Sequence, residues 1–161
     1  MLDRLDQTDI RILQILQDNA RLTNKEIGEM LYKSASTIND RIRRMQVQGY
    51  IKKYVAVLDP KMIGRGFVAF THVHLKDHSK QIIYHFEEEI VKLPEVLECY
   101  HMSGQYDFIL KVAVNDMEAY HKFLMNNLFE KFNIGSMEST FVMREAKAVM
   151  AAPLLHSLTS K

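Results

Sequence analysis

TNKEIGEMLYKSASTINDRIRRMQVQG, residues 23–49, decides the fold of the amino-terminal part of the chain. Thr23 is followed three positions later by Glu26, the spacing at which a helix-opening hydroxyl and a carboxylate each bond the other's backbone N–H. Ile27, Met30 and Leu31 then mark the buried side of a short helix, because Tyr32-Lys33 and a fresh helix opener, Ser34, follow directly. From Ser34 a further helix is expected, with Ile38, Ile42 and Met45 at helical spacing and Gly49 where a left-handed residue closes a helix. Upstream, Asp6 opens a first helix with Ile10, Ile12, Leu13, Ile15 and Leu16 as one broad apolar face, running to Asn19. Downstream, Tyr50–Leu58 alternates and is expected as a strand. Two short helices across a tight turn, a first helix bracing them and a strand behind make a (winged) helix-turn-helix over residues 1–58.

The charge distribution gives that unit a partner. Residues 33–53 hold Lys33, Arg41, Arg43, Arg44, Lys52 and Lys53 against the acid Asp40, whereas residues 61–161 hold 11 basic and 12 acidic side chains. An excess confined to one segment points to an anion. Away from its apolar stripe the third helix carries Ser36, Thr37, Asn39, Asp40, Arg41, Arg43 and Arg44, short polar groups near its start and arginines further on. That is what base edges and phosphates in a major groove require, so Lys33, Ser34, Ser36, Thr37, Asn39, Arg41, Arg43 and Arg44 are the candidate contacts to double-stranded DNA. The competing reading is a solvated helix face over a three-helix core.

Asp59-Pro60-Lys61-Met62-Ile63-Gly64-Arg65-Gly66 is the expected linker. Beyond it Phe67, Ala69, Thr71, Val73 and Leu75 alternate as a strand, and Ile82, Phe86, Ile90 and Leu93 mark a helix ending at Pro94. A strand from Val96 to Ser103, a turn at Gly104-Gln105, a strand from Tyr106 to Val114, a helix capped by Asp116 with Met117, Tyr120, Leu124 and Leu128, and a strand from Ser136 to Met143 complete the domain, 67–150. The order β-α-β-β-α-β predicts a ferredoxin-like sandwich, an α+β fold with both helices on one face of a four-stranded antiparallel sheet. Its Val, Ile and Phe leave the other face in need of a cover, for which a second copy of the chain is the simplest candidate. Residues 151–161 are read as a tail.

Several classes are set aside. With 47% hydrophobic and 25% charged residues the chain reads as folded. Met1-Leu2-Asp3-Arg4 precedes no apolar signal core and no run spans a bilayer, so a cytoplasmic location without a membrane partner is expected. The lone Cys99 forms no internal disulfide and belongs to no zinc motif. No nucleophile stands at a known spacing from a base and no phosphate loop is present, so no catalytic residue is expected. His72 and His74 share a strand face, and a metal would take a third ligand from His78 or His101, but partly exposed histidines are the simpler reading and no metal site or cofactor is expected.

The turn at Gly104 admits two readings. Gly104 permits positive φ and leaves open backbone amides, Tyr106 offers a ring and a hydroxyl, and Asp107 a carboxylate for an ammonium group, a set that suits an amino acid. An ordinary β-turn with an aromatic and a surface acid accounts for the same residues.

Taken together, Leu5-Asp6-Gln7-Thr8-Asp9-Ile10-Arg11-Ile12-Leu13, Arg41-Ile42-Arg43-Arg44-Met45 with Gly49-Tyr50-Ile51, Gly104-Gln105-Tyr106-Asp107 and Thr140-Phe141-Val142-Met143 make the chain resemble the Lrp/AsnC (leucine-responsive, feast-or-famine) family of transcriptional regulators over nearly its whole length. The resemblance implies sequence-specific binding of a palindromic operator, a homodimer assembling to an octamer, and an amino-acid effector. The implied effector lining is Ser103, Gly104, Tyr106 and Asp107, with Glu138, Ser139 and Thr140 from the last strand. At one point the chain departs from the pattern, because Tyr32-Lys33 stands where the family has glycine and a hydrophobic residue. Two other readings of the architecture are a tetrapyrrole decarboxylase-like enzyme and a metal-responsive DNA-binding sensor. The first needs no basic helix, and a metal assay separates the second.

Overall fold

The computed structural model describes residues 5–147, so the expected tail, 151–161, and the last residues of the second domain, 148–150, lie outside them. The chain divides into two compact units after Ala56.

In the first unit α1 (Gln7–Asp18), α2 (Asn24–Leu31) and α3 (Ala35–Val47) surround Leu5, Ile10, Ile12, Leu13, Ile27, Ile38 and Met45. Each helix opens on the residue expected. The Asp6 carboxylate accepts the Asp9 N–H (2.8 Å), Thr23 Oγ1 the Glu26 N–H (3.2 Å) and Ser34 Oγ the Thr37 N–H (3.2 Å). Gly49, at φ +80°, closes α3 with its own N–H on the Gln46 carbonyl and the Tyr50 N–H on that of Met45. Met30, expected inside, is 55% exposed, and Gly28 is buried in its place. Residues 51–58 form no strand, which corrects the expectation for Tyr50–Leu58. Alternation marks a sheet only where a ladder partner exists, and this unit's described residues supply none.

In the second unit the sheet order is β2-β3-β1-β4, all pairs antiparallel, from β1 (Phe67–Leu75), β2 (Val96–His101), β3 (Phe108–Val114) and β4 (Ile134–Phe141). Ala69, Thr71, Val73 and Leu75 of β1 are buried against Phe86 and Ile90 of α4 (Lys80–Ile90) and against Tyr120 and Phe123 of α5 (Met117–Phe123). The expected ferredoxin-like βαββαβ order is therefore observed. After Phe123 the helix widens into a π-type segment, Leu124–Phe129, in which the Glu130 N–H reaches the Met125 carbonyl (3.2 Å). Tyr120 and Leu128, eight residues apart, are both buried, with Leu124 partly buried between them. The Tyr120 hydroxyl, 2.7 Å from Thr71 Oγ1 and from Ser139 Oγ, fastens α5 to central β1 and to the edge strand β4. Cys99 packs on this core, and burial, helped by the charge of Glu87, pushes its thiol up to about 11.

The residues read as a linker are a built turn of this second unit. The Arg65 N–H reaches the Pro60 carbonyl (2.7 Å) and its guanidinium donates to the Ala113 carbonyl (2.9 Å). The sheet face away from the helices is mixed rather than uniformly apolar. On it Lys111 pairs with Glu98 (3.1 Å), and Tyr106 donates to Glu138 from beside the His72 ring.

Candidate nucleic-acid interface and ligand hairpin

The helix-turn-helix is held by two features, an ion-pair cluster the sequence reading missed and the Tyr32-Lys33 turn. Asp9, whose side chain has no exposure, accepts from Arg41 (2.8 Å) and from Arg44 (2.5 Å), while Arg41 also donates to Asp6 (2.6 Å). These hydrogen bonds hold Arg41 protonated more firmly than usual. Partial burial alone would raise the Asp6 carboxyl, yet the Arg41 hydrogen bond and the backbone N–H groups of Asp9 and Thr8 outweigh it and lower it. A placement of Arg41 and Arg44 as outward contacts is thus narrowed, since both guanidiniums are bonded to α1. Their positions carried a signal. Arg41 precedes Ile42 and lies three residues after Ile38, on the flank of the apolar stripe and not opposite it.

The second feature is the turn. Tyr32 adopts φ +54°, the left-handed region, with its side chain 94% exposed, so a tyrosine holds the conformation for which glycine is suited. The Lys33 N–H returns to the Gly28 carbonyl (2.9 Å), and a Cβ on Gly28 would stand 2.6 Å from the Lys33 oxygen. Here glycine is demanded by close approach inside α2, one turn before the place where the family carries it.

Opposite the buried stripe, Ser36, Asn39, Asp40 and Arg43 recur at helical spacing and are exposed, as is Lys33. Ser34 shares its hydroxyl with Ser36 (2.9 Å) and Thr37 (2.8 Å), and Asn39 accepts from Asn24 (3.1 Å), which orients these polar groups. Among the described residues no side-chain hydrogen bond or ion pair engages Lys33 or Arg43.

The hairpin between β2 and β3 divides the second candidate set. Ser103, Gly104 and Gln105 are exposed, and a Cβ on Gly104 (φ +156°) would meet nothing within 4 Å. Tyr106 donates to Glu138 (2.5 Å), which brings the hairpin and β4 together, with Thr140 on the same sheet face as Glu138. The short bond to a carboxylate raises the Tyr106 hydroxyl above its ordinary value. Ser139 is a correction. It pairs with buried Thr71 and bonds Tyr120 on the helix face, so it shares no face with Tyr106, as strict alternation between Glu138 and Thr140 requires.

Asp107 is more committed than a surface acid. Its Oδ2 accepts the Leu75 N–H (2.7 Å) and lies 3.2 Å from His74 Nδ1 and 3.1 Å from His78 Nε2, while its own N–H donates to the Val73 carbonyl (2.9 Å). The side chain extends the β1–β3 ladder where β3 departs. The histidine pair expected to share any metal is split. His72 packs on Tyr106 (5.1 Å between rings), whereas His74 turns to His78 (5.0 Å), and His101 lies on the helix face with Glu87 (3.1 Å).

A model of the winged helix-turn-helix DNA-binding domain matches residues 5–52, and that of the Lrp/AsnC ligand binding domain matches 68–151. The chain belongs to the Lrp/AsnC family. This Lrp/AsnC protein is 31% identical over 150 residues to the transcriptional regulator AzlB of Bacillus subtilis, with 93% of this chain and 96% of that one covered. To the leucine-responsive regulatory protein of Escherichia coli it is 32% identical over 143 residues, covering 89% and 87%. Among solved structures, the Neisseria meningitidis regulator NMB0573 in its L-Met complex superposes with a TM-score of 0.89 at 35% identity, covering 95% of this chain and 99% of that one. The protein is accordingly a DNA-binding transcriptional regulator with an Lrp/AsnC ligand-binding domain. No described helix is long and apolar enough to cross a membrane.

Proposed function

We propose that this Lrp/AsnC regulator takes an amino acid as effector at the 103–107 hairpin and binds a palindromic operator in the cytoplasm as a homodimer that assembles further, to an octamer. The observation that carries the reading is the likeness of 95% of the chain to a regulator solved with L-Met. In this reading Lys33, Ser36, Asn39 and Arg43 meet the duplex, Ser34 and Thr37 shape the start of α3, and Arg41 and Arg44 hold the helix to α1. The effector's carboxylate meets the open amides around Ser103 and Gly104, and its ammonium the Asp107 carboxylate. Tyr106, Glu138 and Thr140 line the space, and Ser139 supports it from the helix face. A tetrapyrrole decarboxylase has no use for a helix-turn-helix, and no reaction is proposed.

A thermal-shift panel of the amino acids, run in the presence of a chelator, identifies the effector, because a ligand of the folded form raises Tm. Calorimetry then compares wild type with Gly104→Val, whose side chain enters open space above the hairpin. A loss of at least about tenfold, 1.4 kcal/mol, is expected. No shift with any amino acid, or undiminished affinity in Gly104→Val, overturns the assignment.

A further inference from the structure

Three segments distant in sequence bring their metal-ligating atoms together at one end of the sheet. His74 comes from the end of β1, His78 from the loop before α4 and Asp107 from just before β3, with all three ligand atoms within 4.8 Å of one another. His74 Nδ1 and His78 Nε2 lie 3.2 and 3.1 Å from the same carboxylate oxygen. In a tetrahedral zinc site, ligand atoms about 2.1 Å from the metal stand about 3.4 Å from each other. These separations are close to such edges.

A network of hydrogen bonds alone leaves one observation unexplained. His74 Nδ1 is buried and close to Asp107 Oδ2, yet it has no hydrogen-bond partner. A buried acceptor or donor in that state is costly. A cation bound by both atoms would give this nitrogen the partner that the neighbouring carboxylate does not. The backbone packs closely around this ring. The β1–β4 register shifts between His74 and Leu75, and Gly135 lies so close opposite that a Cβ there would come within 3.4 Å of the His74 ring. The Leu75 N–H meanwhile fixes the carboxylate from behind, the part usually taken by an outer-shell donor.

We infer that His74, His78 and Asp107 form a binding site for a borderline divalent metal of the zinc type, with three protein ligands and one position left to solvent. Two imidazoles and one carboxylate are the donor set of such ions, whereas magnesium and calcium take all-oxygen shells. The inference rests on side-chain geometry and not on the amino-acid reading, although both use Asp107.

The test uses full-length protein, without any histidine tag, stripped by chelator and dialysed. Zinc chloride is titrated by calorimetry with no amino acid present, and Co2+ is added separately to read the absorption of a tetrahedral site. One equivalent per chain is expected. His78→Ala, an exposed loop substitution, and Asp107→Asn, which keeps an acceptor for the Leu75 N–H, should each weaken zinc by about 100-fold or more, beyond what loss of an outer-shell partner costs. His101→Ala, on the other sheet face, should leave it unchanged. Absence of wild-type binding, or binding that survives His78→Ala, overturns the site. Neither outcome touches the effector assignment, whose panel excludes metal.

Discussion

Asp9 has no exposure and carries two guanidiniums, so its charge is compensated only while α1 and α3 stay docked. Removing one partner of a buried pair leaves the other uncompensated and costs about 3 kcal/mol or more. Since Arg41 keeps Asp6 and Arg44 is 43% exposed, Asp9→Asn should lower the stability of the first unit by less, about 1–2 kcal/mol, measured by urea unfolding followed at the helical circular-dichroism band. The same substitution should weaken DNA binding through unfolding, although Asp9 is no proposed contact. An unchanged midpoint overturns the structural role given to these arginines. Tyr32 offers the opposite experiment. A non-glycine residue in the left-handed region is strained by about 1–2 kcal/mol, part of which returns as unfolded-state entropy when glycine replaces it. Tyr32→Gly should therefore stabilise the unit by up to about 1 kcal/mol, visible as a higher urea midpoint, and a loss of stability would mean that the exposed ring has a partner.

At the scale of elements, the two capping boxes make α1 and α2 sensitive to acid in a definite direction. The Thr23 backbone N–H and hydroxyl bond Glu26 and hold its carboxyl below the ordinary 4.5, and Asp6 is held below 3.8. A depressed folded-state pKa contributes stability that is present above the ordinary value and disappears as pH falls through the folded one. Helix content should hold down to about pH 4.5 and then decline, and Glu26→Gln, which still accepts the bond without charge, should flatten its share of that decline. A profile identical to wild type removes Glu26 from the account. These caps were legible because hydroxyl and carboxylate stand at a fixed separation in sequence. Tyr50–Leu58 was misread for the converse reason: period-two alternation describes one chain, and a strand needs two. Ser139 was grouped with Glu138 and Thr140 although adjacent strand residues point to opposite faces.

Across the whole molecule, both architectures were readable from apolar periodicity, since each core is built from local helices or from strands whose buried positions alternate without interruption, as in Ala69, Thr71, Val73 and Leu75. The sites were less so. Arg41 meets Asp9 across 32 residues of sequence, and His74 meets Asp107 across a sheet register, relations that no spacing in the chain displays. The division of labour among the basic residues also bears on a bulk property. Each cation that neutralises a DNA phosphate releases a condensed counterion, and log affinity falls against log salt with a slope of about −0.9 per contact. Arg41 and Arg44 already have carboxylates at hand, so of the six basic residues between 33 and 53 only Lys33, Arg43, Lys52 and Lys53 are left for phosphates. Counting this segment alone, the slope should be no steeper than about −3.6 per subunit, where all six would give about −5.4. Filter-binding or fluorescence titrations across a salt series read it directly, and a steeper value would mean that the duplex draws the arginines away from Asp9. As the structure stands, those two charges hold the reading helix in place and leave the ion atmosphere of the DNA to the other four.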